Sequence, residues 1–486
     1  MTKKMILALL AVVSVESLAA ETKSIGSLTF EKCMAEGGRS VYPAWCSTIS
    51  VPENHDEPEG STVDLALTWV PARADNDAVV PLVFLAGGPG QGARDSFPSI
   101  RSGLSKVGEF APILLMDQRG TGDSQALDCP FAEEDMASLD ASNQEIAQRL
   151  ARECLQRHEG RDVAQYTTDD AARDLDVVRQ RLGFSALNVA GVSYGTRLAQ
   201  RYAALYPGKT RSLLLDSPVP SNLILLSEHG RNLDDAINSR LSACNADPAC
   251  YDKLGDTRAV LDELLDQLEN SPTETRYRHP KTGNYHTTLL DPNHLISVLR
   301  MLSYQPSTAV MLPTLLVNAK RDGFADILAL NHIVVESMQE AISHGLQLSV
   351  ICNESIPFLT QQDIDSEADT LLGAQLIEFS RSQCEVWPKK AVAENFHVLA
   401  KHDIPTLVLT GELDPVTPPR YGDVIASGLQ NAQHITVTGE GHNVLSVGCL
   451  PRLVADFIET FAIKDTACID DRRSLPVFTG AYGWEP

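Results

Sequence analysis

The sequence predicts an α/β fold: a mostly parallel sheet flanked by helices, with a large helical cap inserted. Three observations carry this. Short apolar runs end in glycine- or aspartate-rich turns, as in "VVPLVFLAGGPGQG", "APILLMDQRGTGDS" and "ALNVAGVSYG". Strands of a parallel sheet are buried on both faces and read as continuous apolar runs, with function at their C-terminal ends. Amphipathic helical patterns alternate with these runs. The same strand-then-polar-turn texture returns near the C-terminus, after a long stretch of helical pattern without it.

Taken in order, residues 1–20 form a leader: Lys3 and Lys4, the apolar run Met5 to Val15, then small residues ending at Ala19 and Ala20. That is the layout of a cleaved secretory signal, and the apolar run is too short to span a bilayer comfortably. Residues 62–71 alternate as a half-buried strand through Val63, Leu65, Leu67 and Trp69. The two apolar runs that follow are buried strands. In "TTDDAARDLDVVRQRLG", Thr168 can cap a helix whose Ala171, Leu175, Val178 and Leu182 share one face, and Gly183 ends it. "ALNVAG" is a strand, Ser193 sits at the turn, and Leu198, Tyr202, Leu205 and Tyr206 line a helix stopped by Pro207. "RSLLLDSP" is the next strand. From Ser221 the pattern becomes helical ("RAVLDELLDQLEN", "DPNHLISVLRMLSYQ", "FADILALNHIVVESMQEAISHG") until "IPTLVLTGELDPVTP" and "AQHITVTGEGHN" restore the sheet. The expected organisation is a signal peptide over 1–20, a first core part over 21–220, a helical cap over 221–394 and a second core part over 395–486.

Composition narrows the function. The formal charge of −24 repels phosphate backbones and anionic lipid, so nucleic-acid binding is not expected. No later stretch reaches membrane-spanning length, so no membrane insertion is expected. The ten cysteines are an even number, which in an exported chain reads as disulfides. No C-x-x-C and no cysteine–histidine cluster has zinc spacing, so the expected metal and cofactor complement is none. Connectivity does not follow from sequence alone; nearest-neighbour pairing (33–46, 129–154, 244–250, 352–384, 449–468) is the simplest, because it closes five short loops without crossing.

One constellation carries chemistry. Ser193, in Gly191-Val192-Ser193-Tyr194-Gly195, lies between an apolar strand and an amphipathic helix. This is the context of a sharp strand–helix turn that projects a nucleophilic hydroxyl, with flanking glycines where side chains would clash. Asp414 follows the strand "TLVLTG"; Glu412 and Asp403 are local competitors, and Asp414 is preferred because it stands further past the strand end. His442 follows "HITVTG". The order Ser…Asp…His matches the α/β-hydrolase arrangement of nucleophile, orienting acid and base. An oxyanion hole is expected from the N–H groups of Tyr194 and Gly88, since Pro89 has none. Arg119, in Asp117-Gln118-Arg119-Gly120, is read as a buttress of the loops.

"LAGGPGQG", "DQRGTGDS", "AGVSYGTRLAQRYA", "GELDPVTP" and "GEGHN" together resemble the exported tripeptidyl aminopeptidase branch of the proline iminopeptidase family of α/β-hydrolases. The resemblance covers about residues 45–220 and 395–470, and the cap matches only in being helical. It implies Ser193 as nucleophile, His442 as base, Asp414 as orienter, Gly88 and Tyr194 as oxyanion donors, and release of residues from the free N-terminus of peptides. Cytosolic iminopeptidases often carry histidine before the Gly-Gly-Pro-Gly run and tryptophan after the serine; here these positions are Ala86 and Tyr194. That departs from single-proline specificity and favours the tripeptidyl-like branch, or an esterase.

An aminopeptidase must bind an ammonium group, and a buried cap carboxylate is a natural device. Glu354, in "LSVICNESIPF", is the candidate, beside an apolar strand-like run. The competing readings are a carboxylesterase of the same fold and a catalytically inactive hydrolase-fold binding protein; the intact Ser, Asp and His argue against the latter.

Overall fold

The computed structural model describes residues 21–37, 40–74, 76, 78–129, 144–480 and 483. The proposed leader, residues 1–20, lies outside them. Strands β1 (Thr22–Ile25), β2 (Leu28–Gly37), β3 (Ser40–Pro52) and β4 (Thr62–Val70) run antiparallel as one half of a sheet. β5 (Leu82–Leu85), β6 (Ile113–Met116), β7 (Leu187–Val192) and β8 (Thr210–Asp216) continue it, and β4 joins them through an antiparallel pairing with β6. β9 (Thr273–Arg278) and β10 (Tyr285–Leu290) form a separate hairpin. β11 (Thr406–Gly411) and β12 (Ala432–Val437) close the sheet, whose order is β1-β2-β3-β4-β6-β5-β7-β8-β11-β12. From β6 to β12 every pairing is parallel. The parallel part of this sheet, flanked by helices, is what the apolar runs predict.

The inner parallel strands β5, β6, β7 and β11 are buried along their whole length. One apolar core lies on each face of the sheet. Helix Thr168–Leu182 fills one face with Ala171, Leu175, Val178 and Leu182, and Gly183 ends it with φ +79°. Its N-cap is Thr167, whose side chain accepts the Asp170 N–H, not Thr168 as the pattern suggested. Both threonines suit the position by chemistry, but the N–H and hydroxyl of Thr168 are engaged by Glu354.

The chain between β8 and β11 is not uniformly helical: the β9–β10 hairpin interrupts it. The hairpin is exposed and polar on most positions, so it carries no apolar signature in the sequence. The insertion also divides in two. Residues from Leu233 to Leu328 build their own core. Leu346, Val350, Cys352, Cys384 and Trp387 instead join the core on one face of the sheet. The "LSVIC" run is helical, within His344–Glu354, rather than strand-like. It is buried nearly all round, and burial on every side erases the helical periodicity.

The disulfides are Cys33–Cys46, Cys129–Cys154, Cys244–Cys250, Cys352–Cys384 and Cys449–Cys468, each between nearest neighbours in sequence. No helix among the described residues is long and apolar enough to cross a membrane.

Candidate active site

Ser193 follows β7 with φ +54° and ψ −125°, a conformation that costs of order 1–3 kcal/mol for a non-glycine residue. The surroundings impose it. A Cβ on Gly195 would lie 2.2 Å from the Leu85 carbonyl oxygen, and one on Gly191 would lie 2.4 Å from the Gly195 carbonyl oxygen. The turn is therefore wedged against β5, and only glycine fits on either side. The Ser193 carbonyl accepts from Thr196 N–H at 2.9 Å and from the Thr196 hydroxyl at 2.5 Å, which starts the helix Tyr194–Leu205. The N–H of Tyr194 belongs to the first turn of that helix, where no intrahelical acceptor exists.

The glycine-rich loop after β5 lies against the serine: a Cβ on Gly87 would come within 3.1 Å of the Ser193 Cβ. Gly88 has φ +105°, and Gly90 accepts the N–H of Ser343 at 2.9 Å, which ties the loop to the insertion. Gly88, Ser193 and Tyr194 share the wall of one cavity of about 320 Å³ beneath the insertion.

Asp414 and His442 are brought together at the ends of β11 and β12. His442 Nδ1 lies 2.8 Å from Asp414 Oδ2. The same carboxylate accepts the N–H groups of Val416 (2.9 Å) and Thr417 (2.8 Å) and the Thr417 hydroxyl (2.7 Å). Thr417 also wall-lines the cavity that holds Ser193. Burial by itself would raise the Asp414 carboxyl, but the charge of His442 and these hydrogen bonds outweigh it and hold the carboxyl below its ordinary range. Burial by itself would lower His442; the Asp414 carboxylate outweighs it and raises the imidazole above its ordinary value. Glu412 is occupied elsewhere, accepting the Gly439 N–H at 2.8 Å.

Arg119 is a buttress. It is fully buried, donates twice to Asp174 (2.7 and 2.6 Å) and reaches the carbonyls of Glu53 and Gln165.

Glu354 is not where an ammonium anchor has to be. It is fully buried and absent from the cavity wall, and its oxygens accept the N–H (2.6 Å) and hydroxyl (2.7 Å) of Thr168. The helix that carries it turns the carboxylate toward the start of Thr168–Leu182, a direction that depends on helical phase and that a strand reading could not supply. Burial raises its carboxyl to about 7, against the lowering effect of Thr168 and Arg197.

Two residues that hold the base escaped sequence reading. Asp216, at the end of β8, accepts the N–H groups of Val444 and Leu445 at 3.0 Å each, just beyond His442, and burial raises its carboxyl to about 6. Its strand-end position was a usable signal. Tyr304, in the insertion, accepts the His442 N–H, and nothing local in the sequence marks it.

The family described as "alpha/beta hydrolase fold" matches residues 80–347, and the family described as "TAP-like protein" matches 369–468. "Serine protease Hip1" of Mycobacterium tuberculosis is 24% identical over 481 residues, covering 90% of each chain. "Tripeptidyl aminopeptidase" of Streptomyces lividans is 30% identical over 274 residues, covering 52% of this chain and 49% of that one. "Carboxylesterase B" of M. tuberculosis is 29% identical over 256 residues, covering 48% of each.

Proposed function

The chain belongs to the α/β-hydrolase family, and from that premise we propose that it is an exported serine hydrolase that releases residues, singly or as a short peptide, from the free N-terminus of peptides through an acyl-enzyme. The observation that carries the chemistry is the 2.8 Å His442–Asp414 pair together with a positive-φ Ser193 on the wall of a cavity that Thr417, a hydrogen-bond partner of Asp414, also lines. Ser193 Oγ attacks the scissile carbonyl while His442 Nε2 takes its proton; Asp414 holds Nδ1–H and stabilises the imidazolium. The N–H groups of Tyr194 and Gly88 receive the oxyanion. Collapse breaks the C–N bond, His442 returns the proton to the departing amine, and water deprotonated by His442 then hydrolyses the Ser193 ester.

Peptide as substrate is supported by the TAP-like match and by the relatives named as a serine protease and a tripeptidyl aminopeptidase. A cavity of about 320 Å³ suits a few residues rather than a folded protein. Export is supported by five disulfides, which persist in oxidising compartments. The test pairs Ser193→Ala with peptides that are free or acetylated at the N-terminus. Turnover should fall by roughly four to six orders of magnitude in the variant, and acetylation should lower kcat/KM. Equal cleavage of free and acetylated peptides would remove N-terminal release while leaving the serine mechanism.

A carboxylesterase is the second reading. It is favoured by a cavity wall rich in leucine (Leu223, Leu225, Leu226) that carries no carboxylate among the described residues. Esters turned over far faster than any peptide would select it.

A further inference from the structure

The chain has 64 acidic and 40 basic residues, yet the cavity that holds Ser193 is walled, among the described residues, by one arginine and no aspartate or glutamate. That arginine is Arg300, in the last turn of the helix Pro292–Ser303. It forms no ion pair or hydrogen bond among the described residues. Four positions on stands Tyr304, which walls the same cavity and holds His442 through its carbonyl. The arginine therefore sits about one helical turn from the group that fixes the base.

His229 lies on the same wall. Burial first, and then the charge of Arg300, push its imidazole down to about 3. Among the described lining residues Arg300 is thus the one full charge, and it is positive in a chain of net charge −24. Arg300 is half-buried, its guanidinium is unpaired among the described residues, and a carboxylate matches that donor fork in two parallel hydrogen bonds.

We propose that Arg300 is the anchor of an anionic subsite, and that the substrate hydrolysed at Ser193 carries a carboxylate received by this guanidinium, with neutral His229 and Tyr304 beside it. The proposal rests on Ser193 as the nucleophile and not on which end of a peptide is cut. The carboxylate has two sources, an acidic side chain or a free C-terminus.

The test measures kcat/KM for matched short peptides in two arms: glutamate against glutamine at each position in turn, and free C-terminal acid against carboxamide. The acid should win by roughly ten- to a hundredfold in one arm, the range of a charge-assisted hydrogen bond, and that arm identifies the source. Arg300→Gln should bring the ratio close to one, and Arg300→Lys should keep part of it. Each ratio is internal to one preparation, so partial misfolding moves both substrates together. A wild-type enzyme indifferent in both arms overturns the subsite, as does a preference that survives Arg300→Gln. Should Ser193 be labelled by a fluorophosphonate while no peptide turns over, a hemisuccinate ester against its monoamide reads the same preference. No labelling and no hydrolysis of any substrate would instead overturn the serine mechanism, and the subsite with it.

Discussion

The backbone carbonyl of Tyr304 accepts the N–H of His442 at 2.8 Å, and the two rings pack edge to face with centroids 5.2 Å apart. Gln305 adds a second tie, donating to the His442 carbonyl at 2.9 Å. The base is thus held from two sides, by Asp414 from the sheet and by the insertion from above. Cap docking and base geometry are coupled. Tyr304→Ala keeps the backbone bond and loses the ring, so kcat should fall by roughly ten- to a hundredfold through a misplaced imidazole. Stopped-flow acylation by a fluorophosphonate reads this step directly; an unchanged rate would make the ring contact incidental.

The pH profile follows from the Asp414–His442 pair. The base works as neutral imidazole. Burial favours that neutral form, while the Asp414 carboxylate favours the cation and prevails, so the ionisation lies above the ordinary value of 6.5. Activity should accordingly rise with pH through a limb displaced above 6.5. In Asp414→Asn the larger raising charge is gone while burial and the weaker pull of Asp216 remain, so the limb should move to lower pH while the plateau falls by about 10⁴-fold. A limb at the same pH in both proteins would assign it to another group.

Close packing at the turn predicts a steep steric cost. Gly195→Ala places a methyl 2.2 Å from one backbone oxygen and 2.6 Å from another, on a buried strand that cannot yield cheaply. Destabilisation of about 3 kcal/mol or more is expected. Gly208→Ala, where a Cβ meets nothing within 4 Å, is the control and should unfold close to wild type. Thermal unfolding of the three proteins decides it.

Glu354 links stability to pH. Its carboxyl is raised from 4.5 to about 7 in the folded chain, so between these values the folded state binds the extra proton. Stability from this group is full below the unfolded value and is lost as pH rises through the folded one. Glu354→Gln removes that loss. The Tm of the variant should therefore improve relative to wild type as pH goes from 5 to 8, and a constant difference would place the titration elsewhere.

All ten cysteines are paired. Titration of denatured, unreduced protein should find close to no free thiol, and several free thiols would contradict the pairing and with it the export argument.

The sequence by itself determined what depends on local order. Apolar runs ending in polar turns located β5, β6, β7, β8, β11 and β12, because a strand buried on both faces has no freedom to hide its composition. Ser193, Asp414 and His442 were legible because each stands at the end of such a strand. The disulfides were legible because each closes a short loop. What only the tertiary structure decided are relations across long separations. Thr167 rather than Thr168 caps its helix because the Thr168 N–H and hydroxyl are taken by Glu354, 186 residues away. Glu354 faces that helix and not the cavity, since an all-apolar buried run hides its own helical phase. Tyr304 meets His442 across 138 positions through a backbone carbonyl that any residue would present, and the Asp216 carboxylate pins the base loop from 228 positions away. Spacing and composition record what a segment is; which segment it touches is set by how the sheet and the insertion close on one another, and a single chain of letters carries no local mark of that.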